Sequence, residues 1–192
     1  MMEAGMPKTS VPGNSRNELY GKKLTGLPRG LLVSAHLVAG TLWFATSLCM
    51  VFITSNNLKT QNGDALYAIN SMVKLVDEFV LIPAAIASVI TGTLLCKLTT
   101  WGFFKYHWVS VKWIATTSLI IFGTFWIGPW TNAMTAISDT ERIKSFANPL
   151  FMFNLKGVII GGAIQASCLL AIIVISIIKP WGRRQYGSKR RQ

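Results

Sequence analysis

Charge is what this chain has least of. Only 14% of its 192 residues are charged, against about 25% in an ordinary soluble domain. Acids are the scarcest, with 7 Asp and Glu against 19 Lys and Arg, for a net charge of +12. Metal-capable side chains are also few: 2 histidines and 3 cysteines, with no C-x-x-C spacing. Cys49, Cys96 and Cys168 fall at three different depths of the apolar runs described below. Neither a disulfide nor a metal site is therefore expected, and the three read as small packing residues. The sequence contains no G-x-x-x-x-G-K-S/T, no H-E-x-x-H and no G-x-S-x-G. These absences remove nucleotide-driven transport, zinc-dependent hydrolysis and a nucleophile-elbow hydrolase. The expectation is a protein that is not an enzyme.

What the chain does have is apolar length. Leu31–Ile53, Phe79–Leu98, Trp108–Ile127 and Leu155–Ile178 are four long, predominantly apolar runs. Each is long enough to cross a hydrocarbon layer of ~30 Å as a helix. The expected fold is all-α, a transmembrane four-helix bundle running up and down, with spans of about 31–53, 79–98, 108–127 and 155–178. Residues 1–29 form an N-terminal arm, 30–179 the transmembrane domain and 180–192 a basic tail, leaving no room for a second folded domain. The first thirty residues hold no short apolar core followed by an A-x-A-like site, so the first span reads as uncleaved.

The sparse charge orients these spans. Lys8, Arg16, Lys22, Lys23, Arg29, Lys97, Lys105, Lys112, Lys179, Arg183, Arg184, Lys189, Arg190 and Arg191 fall on one side of a four-crossing topology. Lys59, Lys74, Arg142, Lys144 and Lys156 fall on the other, with the acids Asp64, Asp77, Glu78, Asp139 and Glu141. The positive-inside rule then places both termini in the cytoplasm. The tail from Arg183 to Arg191 is expected to bind anionic lipid headgroups. The basic charge is not gathered on a soluble fold with an aromatic platform, so nucleic acid is not an expected partner.

Local signals refine the picture. Asn62-Gly63-Asp64 marks a turn, and an amphipathic stretch, Ala65–Val76, is expected to lead helically into the second span. The short connection Thr99–His107 makes spans two and three antiparallel neighbours. Gly128-Pro129-Trp130 reads as a helix stop, and Ser138-Asp139-Thr140-Glu141 as the start of a short interfacial helix. Small residues repeat at Ala84, Ser88 and Gly92, at Gly157 and Gly161, and at Ala163, Ser167 and Ala171. Close packing drives helix association in lipid, so these stripes are expected inside the bundle, with a homodimer contact as the alternative. Trp101, Trp108, Trp130 and Trp181 lie at span ends and read as interfacial anchors, whereas Trp43 and Trp126 lie deeper.

Candidate site residues are correspondingly few. His36 lies ~9 Å and His107 ~16 Å from their span centres, in the same leaflet. Two histidines on facing helices are the ligand set of a b-type haem, but the ~7 Å difference in depth opposes the pairing. An interhelical hydrogen bond is the simpler role for His36. Asp77 and Glu78 form an acidic pair at the mouth of span two, suited to a proton or cation, or to an ion pair with Lys74 one turn earlier. Lys112 and Lys156 can reach phosphates from opposite ends of the bundle. Gln165, near the middle of span four, is expected to hydrogen-bond to a neighbouring helix.

The stretches WGFFKYHWVSVKWI (101–114) and FGTFWIGPW (122–130) resemble a family of small bacterial integral membrane proteins of unknown function. HLVAGTLWFATSL (36–48) and KLVDEFVLIPAAIASVITGTLL (74–95) are similar to the same family. The resemblance covers most of residues 31–130 and implies a four-helix bundle; it brings no activity and no catalytic residues. The H-x-x-x-G-x-x-W pattern from His36 to Trp43 is also similar to first spans of copper-resistance-type and cytochrome b-type bundles, without the further histidines those haem proteins carry. The function read from the sequence is a non-enzymatic accessory subunit or a small binding or permeation bundle. Its candidate polar sites are His36, Asp77, Glu78, Lys112 and Gln165. The alternative is a haem electron carrier using His36 and His107.

Overall fold

The computed structural model describes residues 24–99 and 106–178. The arm before Leu24, the connection holding Trp101 and Lys105, and the basic tail with Trp181 lie outside the described residues. Helix α1 (Gly26–Asn56) is followed by α2 (Gly63–Val76) and α3 (Ile82–Leu98), then α4 (His107–Phe122), α5 (Gly128–Glu141) and α6 (Pro149–Ile178). A wide π turn at Asp77–Leu81 joins α2 to α3 without a break, and a second at Gly123–Ile127 joins α4 to α5. Two long rods result. With α1 and α6 they make four helices that are long and apolar enough to cross a membrane. The fold is an all-α four-helix bundle of up-and-down connectivity. Its loop end carries residues 57–62 and 142–148; its tail end carries Leu24, Leu98, His107 and Ile178.

The surface is the reverse of a soluble protein's. Large apolar side chains such as Leu37, Phe52, Phe79 and Ile177 are more than half exposed, while Thr46, Ser47, Asn57, Asn70, Ser138 and Gln165 are buried. A monomer in water does not present an apolar shell of this extent. In lipid it costs nothing, because the hydrocarbon tails are as apolar as leucine. The chain is a multi-pass membrane protein.

The rods are longer than a bilayer requires. From Leu98 back to Asp77 is ~32 Å of helix, and from His107 to Ile127 ~30 Å, each about one hydrocarbon thickness. Both π turns therefore sit at one height, near the loop-end edge of the apolar slab. Beyond it α2 packs against α5 as a polar-cored cap, whereas α3 and α4 barely touch; α3 lies instead on α1, and α4 leans on α6. The rods thus splay towards the tail end, and the expected neighbourhood of spans two and three holds mainly in the cap.

Local chemistry explains these elements. Asn62 caps α2 by accepting from the amides of Asp64 and Ala65 at 2.8 and 3.2 Å. The expected turn is thus a helix start. Gly63 is required by contact: a Cβ there would lie 2.6 Å from Arg142 Cβ and from the Ile143 amide nitrogen. Arg142 ends α5 in the left-handed region, at φ 52°. It is held by Asp139 at 3.3 Å and Asp64 at 3.6 Å, and its guanidinium stacks 4.4 Å over the Tyr67 ring. Within the cap, Asn57 Nδ2 donates to Asn70 Oδ1 (2.6 Å), Asn70 Nδ2 to Ser138 Oγ (3.0 Å), and Thr135 Oγ1 to the Asn70 carbonyl (3.3 Å). This chain of buried side chains ties the end of α1 to α2 and α5.

Three sequence expectations are corrected here. Gly128-Pro129-Trp130 does not stop a helix; the chain continues helically to Glu141. Pro129 falls at the first turn after a π segment, and the helix continues past it. Ala163, Ser167 and Ala171 face outward. The buried face of α6 instead follows Phe151, Leu155, Val158, Gly161, Gln165 and Leu169. Gly157 and Gly161 do pack inside, as expected: a Cβ on Gly157 would come within 2.9 Å of the Trp130 ring. Trp108 is 8% exposed and turned into the bundle, so it is no headgroup anchor.

Candidate functional site

Two cavities lie along the bundle, one on each side of Trp43, which lines both and is 2% exposed. The tail-end cavity, about 220 Å³, is bounded by α1, α3, α4 and α6 where the rods splay. Its polar groups include His36, Ser88 and Lys112. His36 Nδ1 lies 3.0 Å from the Ser88 carbonyl and 3.0 Å from Thr91 Oγ1. Thr91 spends its own proton on the Ala87 carbonyl, so Nδ1 carries the hydrogen and donates to Ser88. Gly92 makes room for the ring, because a Cβ there would sit 3.1 Å from His36 Cε1. The expected interhelical bond is thus present, between α1 and α3. Lys112 makes no salt bridge among the described residues. His107 is exposed at the first turn of α4 and lines neither cavity. The two histidines are not gathered at one site.

The loop-end cavity is the larger, about 450 Å³, and all four spans contribute walls. Asp77 and Glu78 enter it from the first π turn, Gly123 and Thr124 from the second, and Gln165 from α6. Glu78, Thr124 and Asn132 form an exposed rim, whereas Trp43 and Gln165 are buried. Glu78 pairs with Lys74 at 3.8 Å; Asp77 makes no salt bridge among the described residues. Gln165 departs from expectation. Its Oε1 is buried without a hydrogen-bond partner, as is the indole Nε1 of Trp43. The α6 face turns Gln165 towards Gly123, where a Cβ would lie 3.6 Å from Oε1. That neighbour offers only backbone.

The π turns add a second kind of unused acceptor. Ile82 donates to the Asp77 carbonyl and Gly128 to the Gly123 carbonyl, each five residues back. Pro83 and Pro129 follow directly and have no amide. Within helical reach, the carbonyls of Glu78, Phe79 and Val80 are left with one donor, the Ala84 amide. Those of Thr124, Phe125 and Trp126 are left with the Trp130 amide. A π turn of this kind frequently accompanies a functional site, and here two of them face one cavity.

The sequence singled out the Asp77–Glu78 pair and Gln165 separately, and the structure brings them to one cavity. It places His36 and Lys112 together at the other. The second π turn was not legible as a site element; its only signal was the G-P dipeptide, which reads equally well as a helix stop, whereas Trp43, one of the two deep tryptophans, both packs in the core and lines the two cavities. Trp126, also deep in its span, is 47% exposed and stacks on Phe122. No protein-family model, curated protein or solved structure matches the chain.

Proposed function

We propose that the chain is a non-enzymatic ligand-binding bundle of a bacterial inner membrane, with both termini in the cytoplasm and the loop end outside. The orientation rests on the unequal division of Lys and Arg between the two ends. One observation carries the binding role: a cavity of about 450 Å³, walled by all four spans, into which a buried amide oxygen projects without a partner. An unpaired buried polar group costs about 1–3 kcal/mol, and a polar ligand would recover it. A simple pore is less well supported. Trp43 stands between the cavities, and the acidic side chains of one face Lys112 in the other, so an ion of either sign meets repulsion along the way.

The test is mass spectrometry of small molecules extracted from the purified protein. The expected result is one compound enriched over a detergent blank and lost in Gly123→Leu, which fills the cavity. Recovery of nothing above the blank overturns the reading. A Soret band that disappears in His36→Ala would replace it with the haem electron carrier. For orientation, a reporter fused after Gln192 is expected to be active only in the cytoplasm; periplasmic activity reverses the assignment.

A further inference from the structure

We infer that the loop-end cavity takes a monovalent organic ammonium ion with an apolar body, its charge beside Asp77 and its body against Trp43. This rests on the binding reading above and names its ligand class. Apart from the Trp43 indole Nε1, a donor, the unused hydrogen-bonding groups described around the cavity are acceptors. The Asp77 carboxylate has no counter-ion among the described residues, Gln165 Oε1 has no donor, and the two π turns leave backbone carbonyls short of amides. Acceptors without donors call for a positive charge, as they do where broken membrane helices offer unwound carbonyls to cations.

The same residues limit the charge and the size of the ion. Glu78 is already paired with Lys74, which leaves Asp77 as the one uncompensated carboxylate at the cavity. A bare metal ion fits poorly. No group of three or more His, Cys, Asp or Glu side chains able to share a metal occurs among the described residues. The space also far exceeds the tight oxygen shell, 2.3–2.6 Å in radius, that a hard cation such as calcium demands. The walls are largely apolar, with Leu119, Ile120, Ile127 and Val158 beside Trp43. They would remove the organic part of the ion from water. The Trp43 indole offers the body of the ion a large apolar contact at the buried end of the cavity.

Equilibrium dialysis of the purified full-length protein tests the inference with two probes of equal heavy-atom number, N-isopropylbenzylammonium, which has N–H groups to donate, and the neutral N-benzylacetamide. The ammonium is expected to bind about tenfold more tightly than the amide or better. Asp77→Asn is expected to remove that preference, Asp77→Glu to retain it, and Glu78→Gln to change it by less than about threefold. Equal affinity for the two probes overturns the cation and leaves the binding reading standing; binding of neither overturns both. Ammonium binding that survives Asp77→Asn unchanged overturns the assignment of the charge, and displacement by sodium at constant ionic strength overturns the organic ion in favour of a metal.

Discussion

Asn70→Leu is expected to destabilise the protein by about 2–4 kcal/mol, among the largest effects available to a single substitution in the cap. Asn70 is fully buried and its side chain holds two partners at once: it accepts from Asn57 and donates to Ser138. Leucine has nearly the same volume but leaves the Asn57 amide without its acceptor. Asn57 Oδ1 already lacks a partner, so that side chain would be stranded completely. Ser138 keeps its bond to the Thr135 carbonyl and should be a lesser contributor. The check is thermal unfolding in detergent. A midpoint shift of less than a degree or two would mean that the network adds little to the cap.

Trp43→Ala is expected to cost about 3–5 kcal/mol, the usual range for emptying the site of a large buried aromatic. Trp43 belongs to the core cluster with Ala84, Ala85, Leu119 and Leu169, which joins α1 to three other helices. Its loss also merges the two cavities, because it is the side chain that lines both. A second readout follows: vesicles carrying Trp43→Ala should leak small ions faster than those carrying the native chain, while Trp43→Phe stays tight. Equal leak rates for Trp43→Ala and native vesicles would show that the barrier between the cavities lies elsewhere.

The architecture was legible because lipid imposes it. A helix that must satisfy its own backbone in hydrocarbon shows itself as apolar length, and all four rods coincide with such runs. The amphipathic lead-in before Phe79 was also legible, since α2 has one polar and one apolar face. Gly128-Pro129 was misread for a physical reason: proline ends a regular helix, but here it directly follows a wide π turn and the helix runs on to Glu141. The direction of the α6 stripes was not legible either. In lipid both faces of a helix are apolar, so period alone does not tell the inward small residues Gly157 and Gly161 from the outward Ala163, Ser167 and Ala171.

The site was visible only as parts. The Asp77–Glu78 pair stood out at the mouth of one apolar run and Gln165 inside another, yet the pair and the amide lie on different helices and nothing local links them. The cap network of Asn57, Asn70, Thr135 and Ser138 was missed entirely. Its members look like ordinary loop polarity in one dimension and become a core only when α2 meets α5.

The common height of the two prolines has a consequence for how the fold tolerates them. Carbonyls deprived of amides are expensive in hydrocarbon, at several kcal/mol each, but a few ångströms away, at its edge, a polar partner can reach them. Pro83 and Pro129 stand at that border, one on each rod. Shifted two turns towards the tail end, the same residues would leave their carbonyls facing lipid tails. The thickness of the bilayer therefore decides where these rods can be broken, and the cavity opens at the depth where breaking them is cheapest.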